Sequence, residues 1–392
     1  MGVNLNTILK NLSKVYNIKL LAGEKGLCNE LSWIYFTEDH RTVEFIRGEE
    51  LIITTGMITA GDPNGPSGWL FGLIDKLISL DAVGLIINVG DYIPSVPVDV
   101  IEYCDEKSFP LFSIPWEVHL VDILRDVCNY IIENEQRERS ISTALSVSIF
   151  SPENFHLYEN NLRRNGFDPF ESYATICFDI RSVAEPQKKL SHIIHSPFFP
   201  SKTKVSLIFE DSELVLVIYK ATEETTKNVC SALIQSFRLH GNNLPVHMGI
   251  GPVVSDIRKL HESYQHAHAC MDLAFRFNIP ELYYDSLGFM KILLSTKDKD
   301  LLLGFCEETL HKLKEHDMAH NSDYMELLRI YLDENMNIQS TAQKTYTHRN
   351  TVNYRIQKIK ELLNTEFTTP EERLDYQIAL YIHNMYIEPT LK

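Results

Sequence analysis

The hydrophobic period changes along this chain, and no single core can follow it. Through residue 119 the apolar runs are short and strand-like: ELSWIYFTED, EELIITTG, AVGLIINVG and FPLFSIPWE, each bounded by turn residues. They show little polar alternation, which predicts a sheet covered on both faces. Helical spacing interleaves with them, in Leu5, Ile8, Leu9 and Leu12 and in GWLFGLIDKLISLD. From Leu120 the rhythm becomes that of a helix seam. Leu120, Leu124, Val127, Ile131, Asn134, Glu138, Ile141 and Leu145 alternate spacings of four and three. Such a seam serves either a dimerising helix, with Asn134 setting register and partner number, or a linker helix packed on its own domain.

Residues 155–290 mix the two periods. YATICFDI and NLPVHMGIG read as strands, KVSLIFEDSELVLVIYK as a hairpin turning at Glu210 to Ser212, and Ile257 to Phe275 as a helix. The order predicts an α+β layer with an antiparallel sheet. The remainder is helical in pattern throughout. A chain of 392 residues exceeds one ordinary core. The expected division is an α/β domain over 1–119, a helical linker over 120–150, an α+β domain over 151–290 and an all-helical domain over 291–392.

Composition excludes several classes. The formal net charge of −16 argues against non-specific nucleic-acid binding by the whole surface, though not against one basic patch. Seven scattered cysteines without a C-x-x-C pair fit neither a disulfide framework nor a zinc site, and predict reduced, buried thiols. The N-terminus lacks the apolar core and cleavage site of a signal peptide, and no run of about 18 apolar residues suggests a membrane span. A cytoplasmic protein is expected. The loop GDPNGPSG, Gly61 to Gly68, is turn chemistry and a candidate mobile flap.

The stretch from Ser340 to Lys360 concentrates base. It holds Lys344, Arg349, Arg355, Lys358 and Lys360 and no acid, as phosphate binding demands. Ser340 or Thr341 is a candidate cap for a short helix containing the small Ala342, and Thr347 a candidate cap for a second helix. In that second helix Val352, Ile356, Ile359 and Leu363 share one face, which must point inward. Asn350, Asn353, Tyr354 and Gln357 then project outward, where Asn and Gln can make paired hydrogen bonds to adenine in the major groove. Arg349, Arg355, Lys358 and Lys360 flank them, in place for phosphates. The bland alternative is an ordinary basic surface helix, and His348 is as suited to capping as to reading.

TAQKTYTHRNTVNYRIQKIKELL resembles the C-terminal helix-turn-helix of PucR-type regulators, the purine-catabolism regulator family, through Ala342, His348, Arg349, Asn350, Thr351, Val352, Tyr354, Arg355, Ile359 and Leu362. Thr345 and Thr347 depart from it, standing where the family usually has leucine and another aliphatic residue. ERLDYQIALYI resembles the closing helix. Upstream, LLAGEKGLCNELSWIYFTED and EFIRGEELIITTG are similar to the family's N-terminal domain, and MGIGPVVSDIRKLHESYQHAHACMDLA to its central domain, a degenerate relative of diguanylate cyclases. The resemblance implies a multidomain α/β and α+β protein: an N-terminal sensing domain, a GGDEF-like centre and a C-terminal helix-turn-helix. It implies transcriptional control, usually activation, of purine or amino-acid catabolism genes in response to a metabolite derived from one or the other. Double-stranded DNA is the expected partner and a homodimer or higher homo-oligomer the expected assembly; a dimer would face half-sites about 34 Å apart. DNA-binding candidates are Lys344, His348, Arg349, Asn350, Thr351, Asn353, Tyr354, Arg355, Gln357 and Lys358.

The alternative is a non-DNA signalling protein whose central domain binds nucleotide. A cyclase needs a glycine turn against phosphates and acids for Mg²⁺. Here Glu210 and Asp211 replace the glycines and Arg181 stands where a second acid would serve, while Asp179 and Glu213 remain. No catalysis is expected. No cofactor or metal is expected either. His261 and His266 lie one residue too far apart for a zincin, His311, His316 and His320 read as solvent-exposed, and Gly249 to Gly251 lacks the third glycine of a dinucleotide site. For the effector, Trp33, Glu38, Thr54, Thr55, Gly56 and Trp116 offer ring stacking and orienting polar groups at strand ends.

Overall fold

The computed structural model describes residues 3–39, 41–60, 66–180, 190, 193–194, 199–200, 203–209, 213–239 and 247–386, the side chains of 237–239 excepted. The hairpin turn at Glu210 to Ser212, Arg181 and the first five residues of the Gly61 to Gly68 loop lie outside them. By compactness the chain divides into two units. One comprises Met1–Ala174, Ile180–Leu244 and Val253–His261, the other Thr175–Asp179, Pro245–Pro252 and Glu262–Lys392.

The first unit opens with β1 (Val3–Asn4), α1 (Leu5–Tyr16), β2 (Lys19–Ala22), β3 (Glu30–Leu31), β4 (Trp33–Phe36), β5 (Glu50–Thr54), α2 (Ser67–Ser79), β6 (Gly84–Val89), α3 (Val98–Glu106) and β7 (Leu111–Pro115). The main sheet has the order β2-β7-β6-β5-β4. Its four later strands are mutually parallel, and β2 is an antiparallel edge. Successive side chains of β5 go to opposite faces. Leu51 and Ile53 join Ile86, Phe112 and α1 on one side, and Ile52 joins Leu85, Ile87, α2 and α3 on the other. Both faces are covered, which is why these strands lack polar alternation.

Helix α4 (Leu120–Phe150) is one continuous rod of 31 residues. Its first half buries Ile123, Val127 and Ile131 in the cluster that also holds α1. Its second half buries Ile141, Ala144, Leu145 and Ile149, packing on α5 (Phe155–Arg164) and on the strand Lys204–Phe209. The seam is therefore consumed within the chain, and Asn134 and Glu138 fall in the polar stretch between the two buried halves. The apolar positions of the seam thus pack within the chain, while Val121 and Ile132 remain exposed elsewhere on the rod.

Tyr16 donates a 2.5 Å hydrogen bond to Asp126 and so ties α1 to α4. Burial and this bond push the Tyr16 phenol up to about 12, and the bond from Tyr16 holds the Asp126 carboxyl below its usual range. A carboxyl with a depressed folded pKa contributes stability above its unfolded pKa and loses it as pH falls through the folded one. Tyr16→Phe is thus expected to lower the melting temperature at neutral pH and to narrow its gap from the unmodified protein as pH drops below 4 (about the unfolded aspartate value). Thermal melts across that range check it.

The central strands are β8 (Tyr173–Asp179), β9 (Lys204–Phe209), β10 (Glu213–Tyr219), β11 (Met248–Ile250) and β12 (Glu281–Tyr283), with helices α6 (Glu223–Leu239) and α7 (Leu260–Arg276). Their order is β12-β11-β8-β10-β9. The pairs β9/β10 and β8/β11 are antiparallel as expected, but β12 joins β11 in parallel, so the sheet is mixed. The Gly249 to Gly251 pair has a packing role. A Cβ at Gly249 would lie 1.9 Å from the Ala267 carbonyl oxygen, and one at Gly251 would lie 2.1 Å from that of Ser263. The missing side chains let α7 rest on β11.

Six α-helices follow among the described residues: α8 (Met290–Ser295), α9 (Lys299–His320), α10 (Tyr324–Asp333), α11 (Ile338–Lys344), α12 (Arg349–Leu363) and α13 (Pro370–Tyr386). All six contribute to one apolar cluster that includes Leu293, Leu310, Leu328, Ala342, Ile356 and Ile382. All seven cysteines are free, and Cys28 alone is exposed. Burial pushes the thiols of Cys104 and Cys270 up to about 12, which leaves them protonated and poorly nucleophilic. Among the described residues no helix is long and apolar enough to cross a membrane, and no group of three or more His, Cys, Asp or Glu side chains could hold a metal ion.

Candidate nucleic-acid interface

The short helix α11 is capped by Asn337, whose Oδ1 accepts from the amides of Gln339 at 2.9 Å and Ser340 at 3.1 Å. Neither Ser340 nor Thr341 fills that role. Ser340 Oγ donates to Glu334, and Thr341 Oγ1 donates to the Asn337 carbonyl at 2.8 Å. The cap of α12 is His348, whose Nδ1 accepts from the Asn350 amide at 3.3 Å. Thr347 instead donates back to the Thr345 carbonyl. Asn337 is not among the capping candidates and His348 is one only beside reading, whereas the candidate hydroxyls turn to main-chain or carboxylate acceptors.

Between the helices, Tyr346 has a left-handed φ of 52° and a side chain 98% exposed. Sequence reasoning passed over it. Its signal was an aromatic in a turn between two capped helices, with Thr345 and Thr347 on either side.

On α12 the inward face is Val352, Ile356, Ile359 and Leu363, all buried. Asn350, Thr351, Asn353, Tyr354 and Gln357 are exposed on the other side. A helix whose buried stripe fixes its roll thus presents two Asn, one Gln and a tyrosine outward, with Arg349 in its first turn.

The five cations differ from one another. Lys344 pairs with Glu334 at 2.7 Å, Lys358 with Glu361 at 2.7 Å and Lys360 with Glu366 at 3.0 Å. Arg355 pairs with Asp323 and lies over the Tyr324 ring, 5.3 Å from its centroid. Its side chain is about one-fifth exposed, and burial lowers its pKa. Among the described residues Arg349 is the cation of this group without a carboxylate partner. An acid-free stretch of sequence is therefore not an acid-free surface: the carboxylates come from outside the stretch.

Comparison with known proteins bears on this chain in three places. Residues 8–131 match the purine catabolism regulatory protein-like family, residues 157–273 a GGDEF-like domain, and residues 324–382 the PucR C-terminal helix-turn-helix domain. The chain carries PucR-type N-terminal and C-terminal domains on either side of a GGDEF-like one. Among curated relatives, the proline-responsive transcriptional activator PutR of Bacillus subtilis is 24% identical over 213 residues, which are 52% of this chain and 48% of that one. The purine catabolism regulatory protein of the same organism is 26% identical over 31% of this chain and 22% of its own length. The DNA-binding transcriptional activator AdeR, also of that organism, is 22% identical over 36% and 34%. The matches thus span less than half the length of each of these relatives. A regulator of polyketide synthase expression from Bifidobacterium adolescentis has a solved structure that is 18% identical, covers 63% of this chain and 99% of that one, and superposes with a TM-score of 0.29, too low to carry an argument.

In the PucR-type N-terminal domain the effector candidates separate. Glu38 accepts from the Thr55 amide and hydroxyl, each at 2.7 Å, from the Met57 amide at 2.9 Å and from Thr54 Oγ1 at 3.2 Å. With Gly56 at a φ of 71°, these residues form a closed clamp at the carboxyl end of β5, and the carboxylate is already fully engaged. Trp116 lies at the same end of the sheet, edge-on to Tyr92 at 5.6 Å. Trp33 does not join them. It pairs with Glu50 at the opposite end of β4 and β5.

In the GGDEF-like domain Asp179 closes β8 half-buried and Glu213 is buried at the start of β10. Of the candidate metal-ligand histidines, His266, His316 and His320 stack on other rings. His266 stacks on Tyr284 at 3.8 Å, and burial lowers its pKa, favouring the neutral ring. His316 stacks between His320 and Tyr324 at 4.3 and 4.5 Å.

Proposed function

We propose that the chain is a metabolite-responsive transcriptional activator that reads double-stranded DNA with α12. The observation that carries this is the outward row Asn350, Asn353, Tyr354 and Gln357 on a helix whose opposite face is buried. Asn and Gln at such positions pair with adenine edges in the major groove. Lys344, His348, Arg349, Thr351 and Lys358 lie around that row for phosphate and sugar contacts. Arg355, held by Asp323, orients the helix more than it binds phosphate.

In this reading residues 1–119 sense, 120–150 link, 151–290 form a GGDEF-like module without catalysis, and 291–392 bind DNA. The effector is a small amino-acid or purine derivative, in keeping with the proline response and purine catabolism in two relatives' names. The protein works in the cytoplasm as a homodimer, assembled through a surface other than the α4 seam.

Selection of bound sequences from randomised duplex DNA tests the reading. Enrichment of two half-sites about one helical turn apart is expected. Asn350→Ala should relax the preference at one base position by about 1–3 kcal/mol, whereas Lys358→Ala should weaken all duplexes about equally. Failure to enrich any motif, with and without candidate effectors, would count against the reading helix.

A further inference from the structure

The helical C-terminal region contains a half-open cleft of about 380 Å³ between α10 and α13. That volume suits a small metabolite. Phe277, Leu332 and Leu380 give it apolar walls. One side carries charge: Arg329 donates to Glu326 through Nε and Nη2 at 2.8 and 2.6 Å, and to Asp333 Oδ2 through Nη1 at 2.9 Å. One guanidinium thus faces two carboxylates, leaving one negative charge over. The other side is a row on α13: Gln377, Tyr381 and Asn384, at helical spacing. Among the described residues none of these three makes a side-chain hydrogen bond, and Asp333 Oδ1 has none either. These groups are solvated rather than buried, with Asp333 exposed and Gln377, Tyr381 and Asn384 half-buried, and polar groups with unused hydrogen-bonding capacity converging on an apolar cleft are what orients a small ligand.

We propose that this cleft binds a small organic cation, an amine with an apolar body. The surplus charge at Asp333 would take the ammonium, the Tyr381 ring would face it, and the amides of Gln377 and Asn384 would accept its remaining N–H groups. A carboxylate ligand would meet the same surplus as repulsion. The site goes beyond the DNA reading and stands without it. Helix α10 turns Leu327, Leu328 and Tyr331 into the cluster that holds α11 and α12, so an occupant would bear on the helix backing the turn.

The test uses the full chain without DNA and three probes of one shape: benzylamine, benzyl alcohol and benzoate, titrated by calorimetry at low salt. Saturable binding of benzylamine is expected, with the alcohol and the acid at least about tenfold weaker. Asp333→Asn should weaken benzylamine by about tenfold or more, and Gln377→Ala should weaken it less. Circular dichroism confirms that both variants are folded. No saturation by benzylamine up to about 20 mM, equal affinity for benzoate, or full affinity in folded Asp333→Asn would each overturn the proposal.

Discussion

Gly249→Ala is expected to unfold the central sheet or to leave it severely weakened. The added methyl would meet the Ala267 carbonyl oxygen at 1.9 Å and the Met271 nitrogen at 2.2 Å. Both are main-chain atoms of α7 that no rotamer change can move. Overpacking a close contact costs about 1–3 kcal/mol even where side chains can yield. Here a whole helix must shift, so the loss should reach or exceed the top of that range. Denaturant titration checks it, and soluble, unshifted Gly249→Ala would show that α7 does not rest on β11 as described.

Ile356→Ala should be nearly as damaging, in another place. Ile356 is 1% exposed at the centre of the stripe that docks α12. Truncating a buried isoleucine costs about 2–5 kcal/mol. The variant is expected to melt early in its C-terminal helices and to lose DNA affinity because the reading helix is no longer held. The informative comparison is Asn350→Ala, an exposed change that should leave the melt unmoved while altering which duplexes are retained. If the two variants bind DNA alike, the division of α12 into a docking face and a reading face is wrong.

The division was legible in the sequence because it follows from spacing: Val352, Ile356, Ile359 and Leu363 can share a face only in a helix. The double-sided N-terminal sheet was legible for a similar reason, since an apolar run without alternation has no wet side to offer. What escaped was chemistry that depends on long-range neighbours. Asp323, Glu334 and Glu366 lie outside the basic stretch, and only folding brings them to Arg355, Lys344 and Lys360. The α4 seam left two readings open because a stripe with a period of 3.5 records that something covers it, not whether the cover belongs to another chain. Trp33 and Trp116 read alike as aromatics near strand ends, but only strand direction shows that their ends are opposite.

The carboxylates beside Lys344, Lys358 and Lys360 also change what salt does to this molecule. A naked basic helix gains by expelling the cations condensed on DNA, and its grip fades steeply as salt rises. A helix that carries its own anions must first give each one back to water, and those anions then attract ions of their own. Part of the ionic gain cancels internally. On the proposed reading, such a surface would search a genome lightly, without lingering on arbitrary duplex, and would leave the decision to stay with the uncharged amides of Asn350, Asn353 and Gln357.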